Sequence, residues 1–230
     1  MASPDIASMV DHTNLNPSAT KESIEILCHE ADSSRFKTVC VRPSMVSLAS
    51  SLLKASNVKV CSVVGFPLIK TTTADEMQRE LLQYSTELKV KEALSALREG
   101  ASEIDMVINL YSLKEKAYSL VEQDICSVVA HAPFVKVIIE TCYLTEEEKV
   151  IACTLAEQSG AHFVKTSTGY GIGGATLPDM ALMSRSVSER VGIKASGGVQ
   201  TLEFALELYH ASQSFCPHPF RIGSSKLKCQ

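Results

Sequence analysis

Two lysines lie where lysine is costly. Lys165 sits in Phe163-Val164-Lys165-Thr166-Ser167-Thr168-Gly169, and Lys194 in Gly192-Ile193-Lys194-Ala195-Ser196-Gly197-Gly198. Both runs are short, apolar and strand-like. A lysine there is desolvated whether it points into the sheet's core or out against covering helices. Burial disfavours a charged amine, and a neutral amine can attack a carbonyl to form a Schiff base. Taken alone, Lys165 is better explained as a snorkelling or ion-paired side chain at a strand rim. Lys194 on the next strand alters that weighing. Neighbouring strands lie about 4.8 Å apart, so the two ammonium groups can approach, and a nearby cation favours the neutral form of a nucleophilic amine.

Other polar residues fall inside or just after apolar runs. Asp105, in Glu103-Ile104-Asp105-Met106-Val107-Ile108, must be paired if buried; it suits a proton shuttle or an ion partner of the lysines. Glu103, at the strand start, is expected to be exposed. Lys136 and Glu140 flank Val137-Ile138-Ile139 at even spacing and are expected to form a lining ion-pair network. Cys40 reads as a small buried hydrophobe before it reads as a site thiol. Ser196-Gly197-Gly198 and Gly223-Ser224-Ser225 suit phosphate binding, because glycine lets backbone N–H groups approach an anion and serine hydroxyls add donors. Each is also compatible with a simple turn. The glycine-rich stretch at residues 169–174 is expected to be a flexible lip rather than a dinucleotide site, since the context of a Rossmann fingerprint is missing.

Eight apolar runs supply the elements that must position these residues: 6–13, 38–42, 59–66, 103–109, 135–140, 162–166, 192–195 and 220–223. Most are continuously apolar, as parallel strands covered on both faces are. Helical patterns lie between them. One starts under Ser18 as cap. Another opens with the capping-box spacing Thr145 to Glu148 and ends at Gly160. A third has Pro178 in its first turn, and a fourth runs over 202–208. Strand–helix alternation predicts a parallel α/β fold, and eight units predict a (β/α)8 TIM barrel forming one domain over residues 1–230. A doubly wound open sheet is the runner-up. In a barrel the site lies at the C-terminal strand ends, and phosphates often bind the loops after strands 7 and 8.

Composition excludes several classes. The 230 residues carry net charge −4 with 22 basic and 26 acidic residues and no long run of one sign, so nucleic-acid binding is not expected. No run is long and apolar enough for a membrane span. The start, Met1-Ala2-Ser3-Pro4-Asp5, lacks signal-peptide regions, and a cytoplasmic location is expected. Eight cysteines (28, 40, 61, 126, 142, 153, 216 and 229) without Cys-x-x-Cys spacing are expected to be free buried thiols. The histidines lack metal-site spacing, so no metal is expected. Ser225-Lys226-Leu227 is not terminal and is not read as a targeting signal.

In family order over nearly the whole chain, these segments resemble deoxyribose-phosphate aldolases: Asp11-His12-Thr13-x-Leu15, Val39-Cys40-Val41-x-Pro43, Val63-Val64-Gly65-Phe66-Pro67, Gly100-Ala101-x-Glu103-Ile104-Asp105, Lys136-Val137-Ile138-Ile139-Glu140-Thr141, the Lys165 and Lys194 segments, and Arg221-Ile222-Gly223-Ser224-Ser225. The resemblance implies reversible cleavage of 2-deoxy-D-ribose 5-phosphate to acetaldehyde and D-glyceraldehyde 3-phosphate. It implies that Lys165 forms the Schiff base, that Lys194 tunes it, and that Asp105 relays protons through a water. Asp11, Cys40 and Lys136 match site-lining positions; Gly169, Gly197, Gly198, Gly223, Ser224 and Ser225 match positions around the phosphate. No metal or organic cofactor is implied. A homodimer is expected.

Four departures stand out. Gln200 occupies a position where the family usually has arginine. Leu110-Tyr111 replaces a small, glycine-containing turn. Residues 71–98 form a longer stretch than usual, and the sequence stops soon after Ser225, so most of the last barrel helix is expected to be missing. Two other readings remain: a Schiff-base aldolase for a different phosphorylated substrate, and a catalytically weak homologue acting as a binding or scaffold protein. Retained Lys165, Lys194 and Asp105 weigh against the last.

Overall fold

The computed structural model describes residues 4–227; Met1, Ala2, Ser3 and the cysteine at 229 lie outside the described residues. Eight parallel strands close into a barrel in chain order: β1 (Val10–Asn14), β2 (Thr38–Val41), β3 (Lys59–Val64), β4 (Glu103–Val107), β5 (Val135–Ile138), β6 (Phe163–Lys165), β7 (Gly192–Ser196) and β8 (Phe220–Ser224). Closure is made by β1 against β8, where Val10 pairs with Ile222, Asp11 with Gly223 and His12 with Ser224. That pairing rules out the open sheet. The strands are buried almost throughout, which is why their sequences are continuously apolar rather than alternating.

The helices are α1 (Lys21–Ser33), α2 (Val46–Leu52), α3 (Ala74–Leu82), α4 (Thr86–Arg98), α5 (Leu110–Lys114), α6 (Tyr118–Val129), α7 (Glu146–Gln158), α8 (Leu177–Ser186) and α9 (Leu202–Ser212). Hydroxyl side chains cap many of their N-termini, satisfying amides that have no partner within the helix. Thr145 and Glu148 form the expected reciprocal box at α7, and Gly160 follows the helix end with φ +82°. Thr20, not Ser18, caps α1, by accepting from the Ser23 amide. Ser18 instead donates its own amide to Asn16 in the preceding turn. No helix follows β8 among the described residues, which end three residues later. Among the described residues, no helix is long and apolar enough to cross a membrane.

Six strands are shorter than their apolar runs, and at β1 and β4 the local cause is plain. Ala7–Met9 is a 3-10 turn, closed by the Met9 amide on the Ile6 carbonyl, so β1 begins at Val10. The fourth run stops at Val107 because Asn109 turns the chain, its side chain accepting from the Ser112 amide to cap α5.

The long stretch at 71–98 consists of α3 and α4. Helix α4 is the crossover between β3 and β4, and it buries Lys89, Ala93 and Ala96. Lys89 Nζ donates to Asp124 Oδ2 on α6 at 2.5 Å and to the Val107 carbonyl at the end of β4 at 2.8 Å. Thr86 donates to the other Asp124 oxygen. Removing one partner of a buried pair strands the other charge at a cost of about 3–5 kcal/mol. Asp124→Ala is therefore expected to lower unfolding free energy by about that much in urea titrations. A loss under about 1 kcal/mol would show that α4 is held by apolar packing alone.

Candidate active site

Seven charged side chains from six strands meet inside the barrel. Asp105 on β4 is the hub and is fully buried. Its Oδ2 accepts from Lys165 at 2.8 Å and Lys194 at 2.7 Å, and its Oδ1 accepts from Lys136 at 2.9 Å. Asp11 on β1 accepts from Lys194 at 2.5 Å and lies 3.6 Å from Lys136 and 3.3 Å from Arg221. Glu103 accepts from Lys136 at 2.7 Å and from Arg221 at 2.6 Å. The register delivers these partners: Asp105 is level with Lys136, Lys165 with Lys194, and Lys194 with Arg221. Lys194 reaches from β7 across β8 to Asp11 because Gly223 lies between them. A Cβ at Gly223 would stand 3.3 Å from Lys194 Cε and 3.0 Å from Ser196 Cβ.

Burial opposes ionisation of Asp105, but Lys136, Lys165 and Lys194 outweigh it and hold the carboxyl well below the usual carboxylate range. Asp11 is lowered likewise, against burial, mainly by Lys194 and Lys136. Burial also opposes the charged forms of Lys136 and Lys194, yet their carboxylate partners hold both ammonium groups above the usual lysine range.

Two expectations are corrected. Glu103 is buried, not exposed, because Arg221 from β8 lies beneath it and pairs with it across the barrel floor. Glu140 does not join Lys136. Strand β5 ends at Ile138, and Glu140 takes a left-handed conformation at φ +58°, so even spacing no longer fixes its side. Its carboxylate instead accepts from the amide and hydroxyl of Thr168, in the loop after β6.

Cys40 is fully buried, as expected of a small hydrophobe, and the Cys61 thiol beside it holds its thiol below the usual range. Cys61 Sγ lies 3.2 Å from Asp105 Oδ1 and 3.4 Å from Lys136 Nζ. Cys28 and Cys153 are also buried, but Cys126 is exposed and Cys142 and Cys216 are half-buried, on helix and loop surfaces. Ligand atoms of Cys40, Cys61 and Asp105 lie within 4.8 Å of one another. A cation bound there would have to displace three ammonium groups from Asp105, so these donors fit a metal poorly.

A cavity of about 300 Å³ opens at the C-terminal ends of β6, β7 and β8. Lys165 lines it, and so do Gly169, Gly197, Gly198, Gly223, Ser224 and Ser225. Asp11, Cys40, Lys136, Lys194 and Asp105 lie below, in the barrel interior. The loop after β6 is tied down rather than free. Tyr170 accepts from the Thr71 amide at 2.8 Å, its hydroxyl donates to Leu15, and Ala175 donates to the Ser196 carbonyl. Gly197, at φ +83°, packs on Gly174, whose Cα would stand 2.8 Å from a Cβ there. The Ser224 hydroxyl donates to the Val199 carbonyl at 2.5 Å and accepts the amides of Lys226 and Leu227, so it is engaged in the wall; Ser225 is exposed. A larger cavity of about 640 Å³ lies along β1 and α1 and contains none of the interior lysines.

Sequence reasoning missed Arg221, Cys61 and Lys70. Arg221 carries the signal that singled out Lys165, a cation inside an apolar run. Lys70, which lines the smaller cavity, follows an apolar turn and has no such signal.

Burial pushes the Glu140 carboxyl up to about 7, despite the Thr168 bonds that favour its charged form. A carboxyl raised in the fold opposes folding once ionised. The penalty is absent below the unfolded value near 4.5, grows as pH rises towards 7, and is complete above it. Glu140→Gln is expected to gain stability relative to the parent across that window, by up to about 3 kcal/mol. Urea unfolding at pH 5 and pH 8.5 checks this, and a difference that ignores pH would refute it.

The comparisons with known proteins agree with this geometry. Residues 6–215 match the DeoC/LacD family aldolase description. The chain is 51% identical over 227 residues to deoxyribose-phosphate aldolase of Thermococcus kodakarensis, covering 96% of this chain and 93% of that one. It is 47% identical over 231 residues to that of Carboxydothermus hydrogenoformans, covering 98% and 93%. The fold matches the tetrameric deoxyribose phosphate aldolase from Aeropyrum pernix at 29% identity and TM-score 0.80, covering 96% and 87% of the two chains. A structure described as QR15, an aldolase, matches at 37% identity and TM-score 0.83, covering 96% and 91%. With its (β/α)8 barrel and buried lysine–aspartate cluster, this chain belongs to the DeoC/LacD family of aldolases.

Proposed function

We propose that the chain reversibly cleaves 2-deoxy-D-ribose 5-phosphate to acetaldehyde and D-glyceraldehyde 3-phosphate through a Schiff base on Lys165. One observation carries the assignment. Of the four basic groups in the interior cluster, Lys165 alone lines the cavity, and it touches a single carboxylate. Lys136 and Lys194 are fully buried behind it.

The chemistry follows from that placement. The Lys165 amine adds to C1 of the open-chain aldehyde, and loss of water gives a protonated imine. The C3 hydroxyl then loses its proton while the C2–C3 bond breaks. C3 leaves as the aldehyde of glyceraldehyde 3-phosphate, and the bonding pair moves through C2 and C1 onto nitrogen as an enamine. Protonation at C2 and hydrolysis release acetaldehyde. Asp105, bonded to the Lys165 amine, moves protons with a water, and Lys194 on the same oxygen tunes the pair. Asp11 and Lys136 hold these groups in place. Gly169, Gly197, Gly198, Gly223 and Ser225 take the phosphate, with Ser224 shaping the wall and Cys40 closing the floor. Phosphate binding is remote from the breaking bond and supplies affinity and alignment.

Seven described cysteines are free, which supports a reducing, cytoplasmic location. Copies of the chain are taken to associate as a homodimer. The complete interior cluster argues against a scaffold protein, for which buried charges are only a cost.

Lys165→Ala is expected to abolish turnover without unfolding the protein, because Asp105 keeps Lys136 and Lys194. Borohydride reduction with deoxyribose 5-phosphate, followed by peptide mass spectrometry, is expected to place the adduct on Lys165. An adduct on another lysine, or retained activity in the variant, sinks the assignment.

A further inference from the structure

We infer that Lys70 supplies the counter-charge for the substrate's phosphate; this rests on the reading of the smaller cavity as the sugar-phosphate site. A phosphate seated among glycine amides and the Ser225 hydroxyl still brings about two negative charges into a partly enclosed space. The cavity's other side chains offer little to meet them. Lys165 is committed to Asp105, and Gln200, at the far rim, is neutral. Lys70 is the remaining charged side chain in the lining, and it makes no ion pair among the described residues.

Its backbone is held while its side chain is free. On one side of it, the Pro67 carbonyl accepts from Arg42 at 2.8 Å, and the Leu68 amide donates to Glu80 at 2.7 Å. On the other, buried Thr71 bonds the Tyr170 carbonyl through its amide at 2.8 Å and the Tyr143 hydroxyl at 3.1 Å. Arg42 itself bonds the Leu15 carbonyl at 2.6 Å and lies over the rings of Phe66 and Tyr170. The turn after β3 is thus fastened to the loops after β1 and β6, and an exposed ammonium stands at the cavity's edge on a fixed base. A compact charge on a flexible stem suits a phosphate that must enter and leave. Lys70 also lines the adjoining cavity, whose one carboxylate, Glu30, is bonded to His12 at 2.8 Å and makes no ion pair with Lys70.

The test compares deoxyribose 5-phosphate with unphosphorylated 2-deoxyribose. Lys70→Met is expected to raise KM for the phosphorylated sugar about tenfold, with kcat within about twofold and kcat/KM for the unphosphorylated sugar unchanged. Lys70→Arg is expected to restore most of the loss, as is Gln200→Arg added to Lys70→Met, which returns a cation from the opposite rim. Lys226→Met removes a cation from the adjoining cavity only and is expected to leave KM within about twofold. Inorganic phosphate, titrated calorimetrically, is expected to bind Lys70→Met about tenfold more weakly than the parent. Unchanged KM and phosphate affinity in Lys70→Met, or an equal loss in Lys226→Met, overturns the inference. A parent enzyme inert towards deoxyribose 5-phosphate overturns the substrate assignment instead, and the phosphate titration then decides Lys70 alone.

Discussion

Three ammonium groups on one buried aspartate constrain everything else in this barrel. Asp105 and Lys194 are wholly shielded from water, where an unpaired ion costs several kcal/mol even after relaxation. Each charge must therefore arrive with its partner, and the partners come from β1, β4, β5, β6, β7 and β8. No open sheet brings β1 and β8 together in this way. Barrel closure and charge satisfaction are the same event, since Asp11 pairs with Gly223 in the β1–β8 ladder and with Lys194 through space. Gly223 has a structural duty here besides any contact with phosphate, because a side chain there would crowd the lysine's path.

The site divides its labour between strands and loops. Lys165 and Asp105, the amine and proton partner of the proposed mechanism, stand on strand residues, whose positions are fixed by ladder hydrogen bonds on both sides. The end proposed for the phosphate is made of glycine-bearing loops, which need other means of support. Glu140 supplies one by holding Thr168, and the Thr71–Tyr170–Leu15 chain supplies another. Groups that must be placed to a fraction of an ångström are thus on the rigid elements. The loops are fastened to one another from several directions.

Much of this was legible in the sequence. All eight strands follow from apolar runs, and Lys165, Lys194, Lys136 and Asp105 stand out because charge inside such a run demands a partner. What was not legible depends on contacts across the barrel. Glu103 is buried by Arg221, which lies 118 positions away and belongs to a run where nothing local points to β4. Glu140 was misplaced for a different reason. Period-two alternation holds only while the strand lasts, and β5 ends two residues earlier. The hydroxyl of Ser224 suggests a phosphate donor from its type and position alone, yet it is engaged by Val199. Composition cannot show where a short side chain points.

Apolar patterning alone does not rank the lysines, since Lys136, Lys165 and Lys194 all lie in similar runs; only the family resemblance singled out Lys165. The structure separates them by access and by charge count. Around the cavity floor stand Asp11, Glu103 and Asp105 against Lys136, Lys194, Arg221 and Lys165. Leave out Lys165, and three carboxylates face three cations. The surroundings of its nitrogen are then balanced without it. Schiff-base chemistry needs that nitrogen neutral at attack, positive as the imine, and neutral again as the enamine. A floor with a large excess of carboxylate would trap the ammonium and the imine and oppose the enamine. A floor with an excess of cations would oppose imine formation. The near-balanced floor is the arrangement the proposed mechanism calls for, and Asp105 stands 2.8 Å from the nitrogen.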